Sequence, residues 1–90
     1  SEVNVARYYF SRGAYVAAVN RAQTAIEEFR DVPAIEEAMF ILYRSYDAMG
    51  LTQLRDDALR VLQRSFPKST YLGGSGSQPA ELKKPWYRFW

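Results

Sequence analysis

The feature that most constrains the fold is a repeat. Gly13 and Gly50 stand 37 residues apart, and so do Phe29 and Phe66, Tyr9 and Tyr46, and Val5 and Leu42. A helical stretch, a glycine, a second helical stretch and a terminal aromatic therefore occur twice in one order. Two-helix solenoid repeats have this layout, with periods of about 34 residues in the tetratricopeptide class and longer ones in HEAT and armadillo arrays. The expectation is an all-α chain: two tetratricopeptide-like helical hairpins, four antiparallel helices in all, forming a fragment of an α-solenoid. A plain four-helix bundle is the alternative. The first copy fits the tetratricopeptide pattern better. In the second, Arg55 falls where Ala18 stands, so Ala58 and Leu62 must supply a similar face in a shifted register.

Apolar spacing sets the elements. Ser1 to Arg12 reads as a helix with the pairs Val5/Tyr9 and Ala6/Phe10 on its apolar face. Gly13 marks the break, where a left-handed backbone is cheapest for glycine. Ala14 to Phe29 reads as the second helix, with Ala18, Ala22, Ala25 and Phe29 as its core face. Small residues at this spacing let the ridge of Val5, Ala6 and Tyr9 approach closely. Arg21, Thr24 and Glu28 form a polar stripe. Arg30 to Val32 reads as a connector, and Pro33 suits the first turn of the third helix. That helix, Ala34 to Met49, is apolar for six residues from Ala38 to Tyr43, more than one face can hold, so it needs cover on at least two sides. Thr52 reads as the cap of the fourth helix, with Leu54, Ala58, Leu62 and Phe66 along one stripe and Pro67 as the stop. The organisation is two repeats over 1–70 (about 1–32 and 33–70), a Gly/Ser-rich linker over 71–80 and a basic aromatic tail over 81–90.

Composition narrows the chemistry. Residues 1–67 hold eight arginines against nine acids, whereas 68–90 hold Lys68, Lys83, Lys84 and Arg88 against Glu81 alone. A near-neutral body is a poor footprint for nucleic acid. With no Cys and no His, disulfides, thiolate chemistry and imidazole catalysis are excluded. Glu36-Glu37 and Asp56-Asp57 are adjacent pairs, which a helix turns about 100° apart instead of into one pocket. The chain reads as a non-enzyme with no cofactor and no metal. No apolar run reaches the roughly 20 residues that span a bilayer. The abrupt helical start reads as a piece of a longer protein, or a mature piece whose targeting segment is absent. Two repeats are fewer than the three or so that usually stand alone.

The runs Ala6-Arg7-Tyr8-Tyr9, Arg12-Gly13-Ala14-Tyr15 and Ala18-Val19-Asn20-Arg21-Ala22 resemble the C-terminal repeats of the BamD family, the tetratricopeptide lipoproteins of the Gram-negative outer-membrane β-barrel assembly (BAM) machinery. The match is strongest over residues 5–30 and extends to residue 66. The resemblance implies a helical scaffold at the periplasmic face of the outer membrane, anchored through a lipidated N-terminal Cys that this chain does not contain. Membrane contact is then only peripheral. It implies that the C-terminal repeats hold the last POTRA domain of BamA, near the lipoproteins BamC and BamE. It also implies that Arg21 pairs with an acidic residue of that domain. The linker and the KKPWYRFW end are outside the family pattern.

The candidate partner-binding residues are Arg21, Asn20, Tyr15, Thr24 and Glu28, each with a plainer reading beside it. Arg21 can be a solvated arginine paired with Glu28, or an anchor whose planar fork grips a carboxylate. Tyr15, Tyr8 and Tyr9 can be packing residues or rim contacts. Arg55, Asp56, Asp57, Arg60 and Arg64 can be a wet face or a surface for another lipoprotein. Trp86, Tyr87, Phe89 and Trp90 can end a mobile tail, or dock on the repeats, a partner or a membrane interface. Three functions remain open at this level: a BAM scaffold, a tetratricopeptide adaptor for peptide segments, and a structural bundle held at a membrane by its tail.

Overall fold

The computed structural model describes residues 1–73; residues 74–80 of the expected linker and the tail-docking residues Trp86, Tyr87, Phe89 and Trp90 lie outside them, while Tyr71 and Leu72, read as the start of the linker, belong to a 3-10 turn. Four helices follow one another: α1 (Glu2–Ser11), α2 (Tyr15–Glu28), α3 (Val32–Ala48) and α4 (Thr52–Ser65), then a 3-10 turn, Thr70–Leu72. The described residues contain no strand. α1 packs on α2, α2 on α3 and α3 on α4, and α1 also meets α3. This is the stacking of tetratricopeptide-like hairpins, in which α3 is the middle element covered by three others.

The glycines do what the spacing asks. Gly13 has φ +77° and Gly50 φ +74°, and each follows the end of the first helix of its hairpin. The hairpin turns close with Ala14 N donating to Tyr9 O and Leu51 N donating to Tyr46 O, both at 2.9 Å. These two bonds are the same bond moved by one repeat. A Cβ at either glycine would meet nothing within 4 Å, so the requirement for glycine comes from the backbone angle alone.

One core cluster joins the first three helices: Val3 and Ala6 from α1, Ala18, Ala22 and Ala25 from α2, Ala38 and Ile41 from α3. Ala6, Ala18, Ala22 and Ala38 are fully buried. Four expectations about packing need correction. Val5 stands at the rim, and Val3, one turn earlier in phase with Ala6, is buried in its place. Phe29 is 73% exposed at φ 52°, because it serves as the left-handed C-cap of α2 and the reversal swings its ring off the core face. Thr52 does not cap α4: it is the first helical residue, Leu51 is the cap, and no side chain accepts there. Leu54 is half exposed, while Leu62 on the same helix is fully buried. A cap the sequence reading passed over is Asp31, whose Oδ1 accepts from Ala34 N at 2.8 Å, with Pro33 in the first turn as expected.

Candidate partner-binding surfaces

Two surfaces carry the candidate residues. On α2 the angular step of about 100° per residue places Asn20, Arg21, Thr24 and Glu28 along one flank and puts Tyr15 about 180° from Thr24. The structure thus separates the predicted set. Asn20, Arg21 and Glu28 are exposed and Thr24 is half-buried, its hydroxyl donating to Asn20 O at 3.1 Å. Tyr15 turns inward at the hairpin bend and meets the Phe10 ring edge-on, 5.5 Å between centroids. Arg21 pairs with Glu2 across the α1–α2 seam, its Nη1 3.3 Å from Oε1, and not with Glu28. That contact is long and single, and about half the Arg21 side chain remains exposed. Such a pair contributes at most about 1 kcal/mol and yields readily to a better carboxylate.

The second surface lies where α1 meets α3. Arg7 donates to Glu37 twice, Nε to Oε2 at 2.6 Å and Nη2 to Oε1 at 2.7 Å, a planar two-point clamp that raises the Arg7 pKa. Further along, the Arg44 guanidinium lies over the Phe10 ring at 5.0 Å and near the Phe40 ring at 5.7 Å. Burial lowers the Arg44 pKa. Tyr71 of the 3-10 turn stacks on Phe40, 4.7 Å between centroids, and burial followed by the charges of Glu37 and Glu36 raises its phenol. A cleft of about 510 Å³ opens beside Tyr71, lined among others by Glu2, Glu28, Arg30, Asp31 and Glu37. Sequence reasoning missed this surface. A signal was present: Arg7 and Arg44 occupy one position of the 37-residue repeat, as do Ala6 and Tyr43.

The mixed-charge set on α4 is not uniformly wet. Arg55 is three-quarters buried and binds Asp47 of α3 at 3.1 Å and Asp56 at 2.9 Å, whereas Arg60 and Asp57 form an exposed pair at 2.8 Å. No group of three metal-ligating side chains occurs among the described residues, and no helix among them is long and apolar enough to cross a membrane.

Paired helices repeated at one period, around a shared alanine-lined core, define a tetratricopeptide-like helical repeat protein. The comparison with known sequences specifies which kind. The chain belongs to the YfiO family, described as outer membrane lipoprotein, whose model matches residues 1–62. Along its whole length it is 44% identical to the outer membrane protein assembly factor BamD of Neisseria meningitidis serogroup A, and 42% identical to that of Neisseria gonorrhoeae. It is 35% identical over 85 residues to BamD of Xylella fastidiosa strain Temecula1, covering 92% of this chain and 29% of that protein. The chain spans about a third of the length of the curated relatives it matches, 33% for both Neisseria proteins. No solved structure matches it.

Proposed function

We propose that this chain is a non-catalytic scaffold module of the outer-membrane β-barrel assembly complex, acting at the periplasmic face of the membrane by binding the POTRA region of BamA. The observation that carries the reading is the similarity, along the whole of this chain and a third of theirs, to proteins named outer membrane protein assembly factor BamD. The α2 flank suits the role. Arg21 is half exposed, loosely held by Glu2, and flanked by the hydrogen-bonding side chains of Asn20 and Thr24. A guanidinium so placed can exchange Glu2 for a partner carboxylate with little structural change, and Arg anchors dominate many interfaces.

The test is a titration of the chain with a purified BamA POTRA array, with Arg21→Glu in parallel. Charge reversal at an anchor is expected to weaken binding about tenfold or more while helicity stays unchanged. Equal affinity of the variant would remove Arg21 from the interface, and no binding by the folded wild-type chain would remove POTRA as the partner. A second reading, an adaptor for extended peptide segments, is favoured by the cleft beside Tyr71 and the aromatic surface along α1 and α3. Binding of isolated peptides without a folded partner domain, abolished by Phe40→Ala, would select it.

A further inference from the structure

After α4 the chain folds back over its own surface. Ser69 is buried, and the 3-10 turn that follows carries Tyr71 across α3 to the side where α1 lies. The Tyr71 ring belongs to two places at once. It stacks on Phe40 at 4.7 Å with 21° between the ring planes, and it lines the cleft of about 510 Å³ together with Val3, Ala34 and Glu37. The charges of Glu37, Glu36 and Arg7 all act on its phenol. The cleft reaches Ala34 and Glu37 of α3, and the aromatic surface continues along the same helix through Phe40 to Arg44. Ala34 and Arg44 are ten residues apart, about 15 Å of helix axis. That is the reach of about four or five extended residues.

The turn is held lightly. Its hydrogen bonds to described residues stay local: Ser69 Oγ accepts from Tyr71 N at 3.3 Å, Leu72 N donates to Ser69 O at 3.4 Å, and Gly73 N donates to Thr70 O at 3.3 Å. None of them reaches α1 or α3. The turn's ring contact with the helices is Tyr71 on Phe40, with buried Ser69 as the hinge.

We propose that this turn is an autoinhibitory clasp: Tyr71, seated on Phe40, divides a groove along α1 and α3, and a partner segment enters by placing an aromatic side chain of its own where Tyr71 sits. The inference rests on the peptide-adaptor reading and adds that the site is occupied by the chain itself. The class of ligand follows from the resident one, an aromatic ring carried on a short turn and stacked flat on Phe40. A single ring stack favours the closed turn over the open one by up to about tenfold. An incoming segment then meets a site open in about one chain in ten, and its apparent affinity falls by the same factor.

The probe is a peptide of residues 68–73, Lys-Ser-Thr-Tyr-Leu-Gly, a detached copy of the clasp. It is titrated into the isotope-labelled 90-residue chain and into its Tyr71→Ala variant, following the NMR signals of the Phe40 ring and of Arg7 Nε–H. The variant is expected to half-saturate at about tenfold lower peptide concentration than the wild type, with circular dichroism unchanged. Tyr71→Phe keeps the ring and is expected to match the wild type, and the same peptide carrying Tyr71→Ala is expected to shift neither chain. A readout on the wild-type chain alone covers the case of a variant that disturbs the helices: saturating peptide should move the chain's own Tyr71 ring signals to those of a free tyrosine. Equal half-saturation of the two chains would overturn the clasp and leave the adaptor reading standing. Tyr71 signals that stay in place at saturation would overturn it as well. No shift in either chain would remove Phe40 as a seat for incoming rings, and clasp and adaptor reading would fall together.

Discussion

The first hairpin is built from alanine and the second from larger residues at the same positions. Ala6, Ala22 and Ala25 correspond, one period on, to Tyr43, Leu59 and Leu62, and Ala6, Ala22, Tyr43 and Leu62 are fully buried. An alanine seam gains little from transfer out of water, so its stability comes from close backbone approach and from the neighbours it admits. A seam containing Leu62 draws on the side chain itself, about 1.5–3 kcal/mol for a fully buried leucine. The hairpins also differ on the side that faces onward. On α2, Val19 is buried and Ile26 half-buried, and between them Gln23 donates to the Tyr46 hydroxyl of α3 at 3.4 Å. The matching positions of α4 are Asp56, Arg60 and Gln63, all exposed. One backbone plan thus serves a helix sandwiched between neighbours and a helix with a wet onward face.

Opposite sensitivities to side-chain size follow, and urea denaturation reads them. Leu62→Ala should have the largest effect, a loss of about 3 kcal/mol, because it leaves a cavity in a site with no alanine-scale partner. Ala22→Leu should lose about 2 kcal/mol by overpacking; a neutral result there would mean that the alanine seam is loose and the contrast between the hairpins false. Gly13→Ala should lose about 1 kcal/mol from the left-handed backbone, and Gly50→Ala about the same, since neither site is crowded. A large gap between these two would break the equivalence of the turns. Phe29→Gly should gain about 0.5 kcal/mol, because the exposed ring at φ 52° contributes little burial and glycine accepts the angle. Leu54→Gln should change stability by less than about 0.5 kcal/mol, far below Leu62→Ala on the same helix.

The helix count, the two turns and the alanine face of α2 were legible because they depend on local chemistry: glycine where φ is positive, small residues at steps of three and four, and Pro33 in a first turn. What escaped depends on events at helix ends and between helices. Phe29 fits the helical period of the core face, but the helix ends beneath it. Leu54 lies on a stripe with Leu62 in a one-dimensional reading, yet the angle between them decides which one α3 covers. Arg55 reads as solvent-facing until Asp47 is brought across from α3. Of the candidate site, the sequence located the α2 flank and placed Arg21 on it. Its pairing with Glu2, nineteen residues away, and the inward turn of Tyr15 depend on the tertiary approach of α1.

The ties between α1 and α3 also have a mechanical meaning. These helices touch over a short length, yet they are pinned at two places, by the Arg7–Glu37 fork and by Arg44 against Phe10. Two pins resist twisting where one would act as a swivel, so the pitch between successive hairpins is set with limited play. The pins differ in kind. The exposed ionic fork softens as salt screens it, while the cation–ring contact, partly shielded from solvent, softens less. The spacing between hairpins therefore behaves as a spring with one salt-sensitive element and one that is nearly insensitive.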